Sequence, residues 1–192
     1  YYFHRKMSEI KKINIVFEDP NKKKIERENK EPKKRVITTT AKWKNNKNEI
    51  TFEKQKAYIR ELYEDNVISK DICAIILQQI KQKISGYHNQ DVLKKLLEKD
   101  KFVDVERVLE LLEKSELMCY YCRKDVHVLY ENVREMTQWS LDRLDNSEGH
   151  NKDNLVIACL SCNLHRKTMY HERFAFTKQL NIIKKDVENK QI

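Results

Sequence analysis

The sequence predicts an α+β fold in which a small helical segment precedes a short β-prone domain that ends in a helix. Three observations predict this class. Apolar residues recur every three or four positions from Phe52 to Lys114, which is the spacing of one helix face. Short β-prone runs follow Leu117, and two Cys-x-x-Cys pairs flank those runs. With 192 residues, 36% of them charged, and only two Gly and two Pro, the chain has the composition of a helix-rich protein with a disordered flank.

The changes of pattern along the chain divide it into four predicted parts. A basic, partly disordered N-terminal segment is expected first, and a tail that continues the last helix is expected at the end. The predicted boundaries are 1–50 for the basic segment, 51–116 for a helical accessory domain, 117–175 for the β-prone domain and 176–192 for the tail.

Positive charge is concentrated in one stretch. The formal net charge of the chain is +9, and residues 21–48 hold eleven Lys or Arg against three Glu, a net of +8. The remainder of the chain is therefore close to neutral. Such a stretch favours an anionic partner such as nucleic acid, and the alternative is a solvated linker with no binding role.

The segment after Phe52 is predicted to hold four helices, whose apolar stripes we interpret as core. Ser69 is expected to cap the second helix, Gly86 to follow its end, and Asp104 to cap the fourth. Cys73 lies on the second stripe and is expected to be a buried small hydrophobe. The four stripes are Ala57, Leu62 and Tyr63; Ile72, Ile75, Ile76, Ile80 and Ile84; Val92, Leu93, Leu96 and Leu97; and Val105, Val108, Leu109 and Leu112.

The last third of the chain has shorter elements. The runs "VHVLY", "WSLD" and "LVIAC" have the β-branched and aromatic character of strands and are separated by polar breaks. A final helical stretch is predicted from about Cys162 toward Val187. This order places three predicted strands between the cysteine pairs and a helix after them.

The cysteine pairs read "CYYC" and "CLSC" and comprise Cys119, Cys122, Cys159 and Cys162. Each pair places two soft thiolate ligands on one tight turn, so the two pairs predict a single tetrahedral zinc site. Two disulfides are the alternative. The chain shows no signal-peptide core and no apolar run long enough for a membrane span, so we expect an intracellular, reducing compartment, which favours zinc. Four thiolates leave no open position for water, and the predicted role of the zinc is structural.

A second group of polar residues lies between and just after the cysteine pairs. Asp142 is expected at the end of one strand, Asn154 at the start of the next, and Asn163 in the first turn of the following helix. Oxygen atoms of Asp and Asn are hard ligands suited to Mg²⁺ or Mn²⁺. The strand, loop, strand and helix order brings an acid and an amide toward each other from its two ends.

These motifs together resemble the HNH nuclease family. The strings "CYYC", "LDRLDN", "GH" and "DNLVIACLSCN" are similar to its four-cysteine zinc form, and most similar to HNH proteins of large DNA viruses, including mobile-element endonucleases. The resemblance covers about residues 117–170. It implies a ββα-metal, treble-clef-like fold and cleavage of DNA with a divalent ion.

The resemblance also implies roles for individual residues. Asp142 matches the metal-binding acid, Asn163 completes the Mg²⁺ or Mn²⁺ site from the helix, and Asn154 ties the loop backbone together. Arg143 departs from the pattern, because the family usually has there the His that deprotonates the attacking water. A guanidinium can neither accept that proton nor bind a cation, but it can hold the scissile phosphate.

The missing base needs a replacement if the protein cleaves nucleic acid. His150 is the first candidate because it ends the same loop, and His127 on the preceding run is the second. His165 and His171 flank the helix start and are placed to touch phosphate. For each of these residues a solvated or structural role is the alternative.

The predicted function is metal-dependent hydrolysis of a phosphodiester, with one strand cut in each event. Nucleic acid is the expected partner, DNA is favoured over RNA, no membrane is expected, and a protein partner or homodimer contact through the helical segment stays open. The alternative function is a non-catalytic zinc module that binds nucleic acid or protein. Residues predicted either to contact phosphates or to be ordinary solvated charges are Arg123, Lys124, Arg166 and Lys167.

Overall fold

In the computed structural model, residues 32–41, 43 and 50–180 are described, and they combine helices with one small antiparallel sheet. The predicted mixture of helix and strand is therefore present. Most of the predicted basic segment, and the predicted tail beyond residue 180, lie outside the described residues. The elements in chain order are a 3-10 turn Val36–Thr39, α1 Phe52–Tyr63, α2 Lys70–Lys94, α3 Val105–Lys114, β1 Trp139–Arg143, β2 Leu155–Cys159, α4 Leu160–Arg166 and α5 His171–Gln179.

Helix α2 corrects the prediction of four helices. It is one helix of 25 residues that continues through Gly86, so the predicted end at this glycine is wrong. It stops at Lys95, whose φ is 59°, and the predicted separate helix over 92–97 does not form. Leu93 is 84% exposed and is not core. A glycine inside a helix costs only about 1 kcal/mol relative to Ala, which the packing of a long helix easily exceeds.

The predicted helix starts are found where expected, but they are capped in different ways. Asp104 precedes α3, and its carboxylate accepts from the backbone N–H of Arg107 at 2.9 Å, so this cap is confirmed. Ser69 precedes α2, but its hydroxyl donates to Glu61 of α1 at 3.2 Å and caps nothing. The Glu61 carboxylate instead accepts the backbone N–H of Ser69 at 2.8 Å and that of Ile68 at 3.0 Å.

The run Val126–Tyr130 is not a strand, contrary to the prediction. The buried amide of Gln55 on α1 occupies two of its backbone donors, since Oε1 accepts from Val128 and Leu129 at 2.8 Å each. The amide Nε2 of Gln55 donates to the carbonyl oxygen of Ile50 at 2.8 Å. A side chain therefore takes the hydrogen bonds that a neighbouring strand would otherwise make.

The two strands that do form pair antiparallel, with Leu141 opposite Ile157. Helix α2 covers the outer edge of β1. The backbone N–H of Leu141 donates to the Tyr87 hydroxyl at 3.0 Å, and the Lys83 amine donates to the carbonyl oxygen of Trp139. The exposed edge of a two-stranded sheet is thus closed by side chains of a helix.

A single apolar core joins the helices to the sheet. Buried side chains of α1, α2 and α3 belong to the same cluster as those around the strands, and the described residues after Pro32 form one compact unit. The predicted boundary between 116 and 117 therefore marks a change of sequence pattern inside a shared core. None of the helices in the described ranges has the length and apolar character needed to cross a membrane. Among the largest fully buried side chains are Trp43, Ile59, Ile76, Ile80, Leu112, Tyr121, Trp139 and Leu141.

Replacing Gln55 by Ala tests the contribution of its amide. The substitution leaves the buried N–H groups of Val128 and Leu129 without an acceptor, and we expect the free energy of unfolding to fall by about 2–4 kcal/mol. Urea unfolding followed by circular dichroism measures it. Gln78→Ala, at an exposed position of α2, is the matched control, with an expected change within about 0.5 kcal/mol. Equal changes for both variants would contradict this account.

Candidate functional site

The four cysteines predicted to bind zinc lie together. Their sulfur atoms are all within 4.8 Å of one another, and Cys122 Sγ lies 3.9 Å from Cys159 Sγ. A zinc ion with four Zn–S bonds of about 2.3 Å separates its sulfur ligands by about 3.8 Å, so the spacing fits a tetrahedral centre. All four cysteines are free, and the disulfide alternative is not adopted. The cluster could hold a metal ion such as zinc.

The sheet and α4 position the four sulfurs. Cys159 ends β2 and precedes α4, and its sulfur accepts from the backbone N–H of Cys162 at 3.3 Å. The first pair is joined to the sheet where the N–H of Tyr120 donates to the carbonyl oxygen of Ile157 at 2.8 Å. Arg123, with φ of 57°, closes the first turn. Both cysteine turns are therefore attached to the same strand.

The thiols influence one another strongly. The hydrogen bond with Cys159 lowers the pKa of Cys119 to about 5. Burial, together with the neighbouring Cys119 thiolate, raises the pKa of Cys162 to about 12. Four such groups cannot all ionise in contact unless a cation neutralises them, so a metal would bind with release of protons and would be lost at low pH.

The metal content of the purified protein tests the cluster. We expect about one zinc per chain by elemental analysis, and we expect Cys162→Ala to lose both the metal and much of the thermal stability. Cys73→Ala is the matched control, because Cys73 is also buried but lies at the contact between α1 and α2, away from the cluster. It should keep the metal. Loss of metal from both variants, or from neither, would contradict the assignment.

A cleft of about 580 Å³ lies between α2 and the face formed by β1 and α4. Four of the five predicted catalytic residues line it, namely Asp142, Arg143, His150 and Asn163, whereas Asn154 does not. Three cationic side chains, those of Arg143, Lys94 and Lys167, share this lining with one carboxylate, whereas burial lowers the pKa of Lys83 to about 7. The cleft therefore favours an anion. The other charged or polar lining residues are Lys83, Tyr87, Gln90, Lys94, Gln138, Ser140, Asn146 and Lys167.

The carboxylate of Asp142 is bound from behind by a buried arginine. Arg166 Nε donates to Oδ2 at 2.7 Å and Nη2 donates to Oδ1 at 3.0 Å, while the Tyr121 hydroxyl donates to Oδ2 at 2.7 Å. Arg166 is only 2% exposed, and it also donates to the backbone oxygens of Arg143 and Met169. The predicted phosphate contact of Arg166 is therefore wrong, and so is its alternative as a solvated charge.

The amide of Asn163 leaves its oxygen available. Its Nδ2 donates to Ser140 Oγ and to the carbonyl oxygen of Leu141, both at 3.1 Å. Among the described residues no donor contacts Oδ1. Asp142 Oδ1 accepts a single hydrogen bond, so it also keeps one acceptor position.

Arg143 and Asn154 both hold the loop between the strands. The Arg143 guanidinium donates to the carbonyl oxygen of Glu148 at 2.7 Å. The Asn154 amide accepts from the N–H of Asp145 at 2.8 Å and donates to the carbonyl oxygen of Gly149 at 3.1 Å. The amide thus links the two ends of the loop.

His150 is buried at the end of that loop. Its Nδ1 lies 2.8 Å from Asp91 Oδ1, and its ring stacks on Tyr87 with 4.5 Å between centroids. Burial lowers the pKa of the imidazole, and the hydrogen bond to Asp91 offsets this in part, so the ring is neutral at pH 7. Sequence reasoning missed Asp91. Its signal was its position on the buried stripe of α2, four residues after Tyr87.

The other predicted histidines lie outside the cleft. His127 Nδ1 is 3.3 Å from the amide nitrogen of Gln55, and its ring packs edge-on against Phe52. The exposed His165 is paired with the carbonyl oxygen of Ser161 at 2.6 Å, and His171 begins α5. Of the predicted bases, the structure places only His150 in the cleft lining.

Comparisons of the chain with protein-family models, with curated proteins and with solved structures find no match. The functional interpretation therefore depends on the motifs of this sequence and on the geometry of the cleft.

Removing the Asp142 partner tests whether this ion pair is structural. Arg166→Leu leaves a buried carboxylate unpaired, and we expect the free energy of unfolding to fall by about 3–5 kcal/mol. The control is Arg173→Leu at an exposed position of α5, which should change stability by about 0.5 kcal/mol or less. Chemical denaturation measures both variants, and a stable Arg166→Leu protein would show that the pair is dispensable.

Proposed function

We propose that the protein is a metal-dependent endonuclease of HNH type that hydrolyses phosphodiester bonds in nucleic acid, with DNA favoured as substrate. The observation that carries the proposal is the lining of the cleft. A carboxylate, an amide oxygen and a neutral imidazole share one cavity with three cationic side chains. Metal-dependent phosphodiester hydrolysis can use each kind of group, as ligands for a metal, a base for water and positive charge for the phosphate.

We propose that a hard divalent ion binds at the β1 and α4 side of the cleft. Asn163 Oδ1 and one acceptor position on Asp142 Oδ1 are free, and oxygen ligands of this kind suit Mg²⁺ or Mn²⁺, which keep several waters. When bound, the ion would supply positive charge to the scissile phosphate and to the leaving oxygen. The ion pair with Arg166 holds the carboxylate in place, as hydrogen bonds to metal-binding carboxylates commonly do.

The chain supplies the other parts of the reaction. Arg143, Lys94 and Lys167 provide positive charge for non-bridging phosphate oxygens. His150 accepts a proton from water as the new oxygen–phosphorus bond forms. The bond to the 3′ oxygen breaks, and this oxygen takes a proton from solvent. We further propose that the four-cysteine cluster binds zinc and fixes the two turns that carry the sheet.

A second candidate function is favoured by the Asp142–Arg166 ion pair. Both carboxylate oxygens already accept hydrogen bonds, and the acid is only 6% exposed. A site arranged in this way can bind nucleic acid through its cations without cutting it. The alternative is therefore a zinc-stabilised nucleic-acid-binding module that lacks catalysis.

A plasmid-nicking assay separates the two functions. With supercoiled plasmid and Mg²⁺ or Mn²⁺, we expect the protein to nick one strand. His150→Ala should slow nicking about 10²- to 10⁴-fold, the usual contribution of a general base. Asp142→Asn should abolish the metal-dependent nicking. The matched control His88→Ala changes a histidine of α2 that packs on Phe102 outside the cleft, and it should nick at the normal rate.

The outcomes are distinct. Binding of plasmid without nicking in either metal would favour the non-catalytic module. Nicking that survives Asp142→Asn unchanged would exclude the proposed site. A chain that neither binds nor nicks nucleic acid would remove the support for both functions.

A further inference from the structure

The loop that carries His150 is docked onto one carboxylate of α2. Asp91 is completely buried, and its two oxygens bind two different groups of the same residue. The His150 backbone N–H donates to Oδ2 at 2.6 Å, and Nδ1 lies 2.8 Å from Oδ1. A bidentate contact of this kind fixes the position of the ring and its orientation at once.

Gly149 allows this docking. A Cβ atom placed on it would lie 2.4 Å from the carbonyl oxygen of Leu96 and 3.0 Å from Asp91 Oδ2. The backbone carbonyl beyond α2 cannot move aside easily, so the loop reaches the carboxylate only because this residue has no side chain. Gly149 and His150 therefore contact the end of α2 together, since the glycine permits the close approach and the histidine makes the hydrogen bonds.

The contact decides which ring nitrogen carries the proton. A carboxylate beside Nδ1 can only accept, so Nδ1 is the donor, and in the neutral ring Nε2 keeps its lone pair. Among the described residues nothing hydrogen-bonds to Nε2, and His150 is part of the cleft lining. The ring therefore offers a free acceptor that keeps some solvent exposure.

We propose that Asp91 is a positioning residue that holds His150 in the Nδ1–H tautomer, so that Nε2 is the base for water in the cleft. The inference rests on the proposed nuclease function. Asp91 lies outside the segment whose motifs resemble the HNH family, and it belongs to the predicted accessory helices. Helix α2 is then part of the catalytic unit, because it orients the base that stands in for the histidine replaced by Arg143.

The charges around the ring agree with this role. Asp91, Tyr87 and Lys94 face it from α2, and Arg143 faces it from β1. Burial lowers the pKa of His150 first, and the two cations lower it further, while Asp91 raises it. The neutral form therefore persists to below the ordinary value of 6.5, and nicking should lose rate only as the pH falls below that value.

The first test measures the tautomer by ¹⁵N NMR of the histidine rings. The wild-type protein should show His150 protonated at Nδ1 and unprotonated at Nε2. In Asp91→Asn one carboxylate oxygen becomes an amide NH₂ group, and the His150 backbone N–H still needs the remaining oxygen as acceptor. The NH₂ group then faces Nδ1, so the ring should change to the Nε2–H tautomer, in which Nδ1 accepts. Asp71→Asn, an exposed acid in the first turn of the same helix, is the matched control and should leave the spectrum unchanged. A wild-type ring protonated at Nε2 would overturn the proposal.

The second test measures nicking in a double-mutant cycle. Asp91→Asn should slow nicking about 10- to 100-fold and move the acidic limb of the pH profile to lower pH, whereas Asp71→Asn should do neither. In a His150→Ala background the Asp91→Asn change should have no further effect, because Asp91 acts through the ring. Equal losses in both backgrounds would show that Asp91 is merely structural. Absence of nicking by the wild-type protein would reject the nuclease function, and the NMR result would still decide the tautomer.

Discussion

The packing of α2 across the outer edge of β1 is the contact on which the cleft depends. Two strands alone would leave the edge of β1 open to solvent, and the Tyr87 hydroxyl and the Lys83 amine bind its free backbone groups. The same helix face then continues to Asp91 and reaches the loop at His150. Sheet, loop and helix are thereby held in one arrangement, and the cavity is the space left between them. Replacing or moving α2 would therefore change the cleft as well.

Asp142 shows how one side chain can hold the fold together and also line the proposed site. Its bonds to Arg166 and Tyr121 tie β1 to α4 and to the first cysteine turn, and the acid still lines the cavity. Burying such a pair is costly unless every hydrogen bond is made, and here the guanidinium donates to carboxylate and backbone oxygens from all three of its nitrogens. The geometry of the carboxylate is therefore rigid. A metal ligand needs such a fixed position, and a purely structural carboxylate has it as well.

The sequence predicted the features that depend on short-range patterns. The cysteine spacing predicted the four-thiol cluster, and the strands of "WSLD" and "LVIAC" formed as expected. The first run alternates apolar and polar residues, the second is a continuous apolar run, and both strands are largely buried. Features that depend on contacts between distant parts of the chain were missed. Gln55 takes two backbone hydrogen bonds of a predicted strand that lies 73 residues further along the chain. The partner of His150 is a carboxylate on another element. The local sequence pattern does not identify such partners. The only sequence signal for the partner of His150 is a charged residue, Asp91, on an apolar helix stripe.

Gly86 lies on the α2 wall of the cleft, and a Cβ built on it meets nothing within 4 Å. No neighbour requires a glycine at this position, so the missing side chain is felt only by whatever enters the cavity. Helix formation favours alanine at this position, so the helix is less stable than it could be. A methyl group added at Gly86 would stand on the cleft wall without displacing any neighbour.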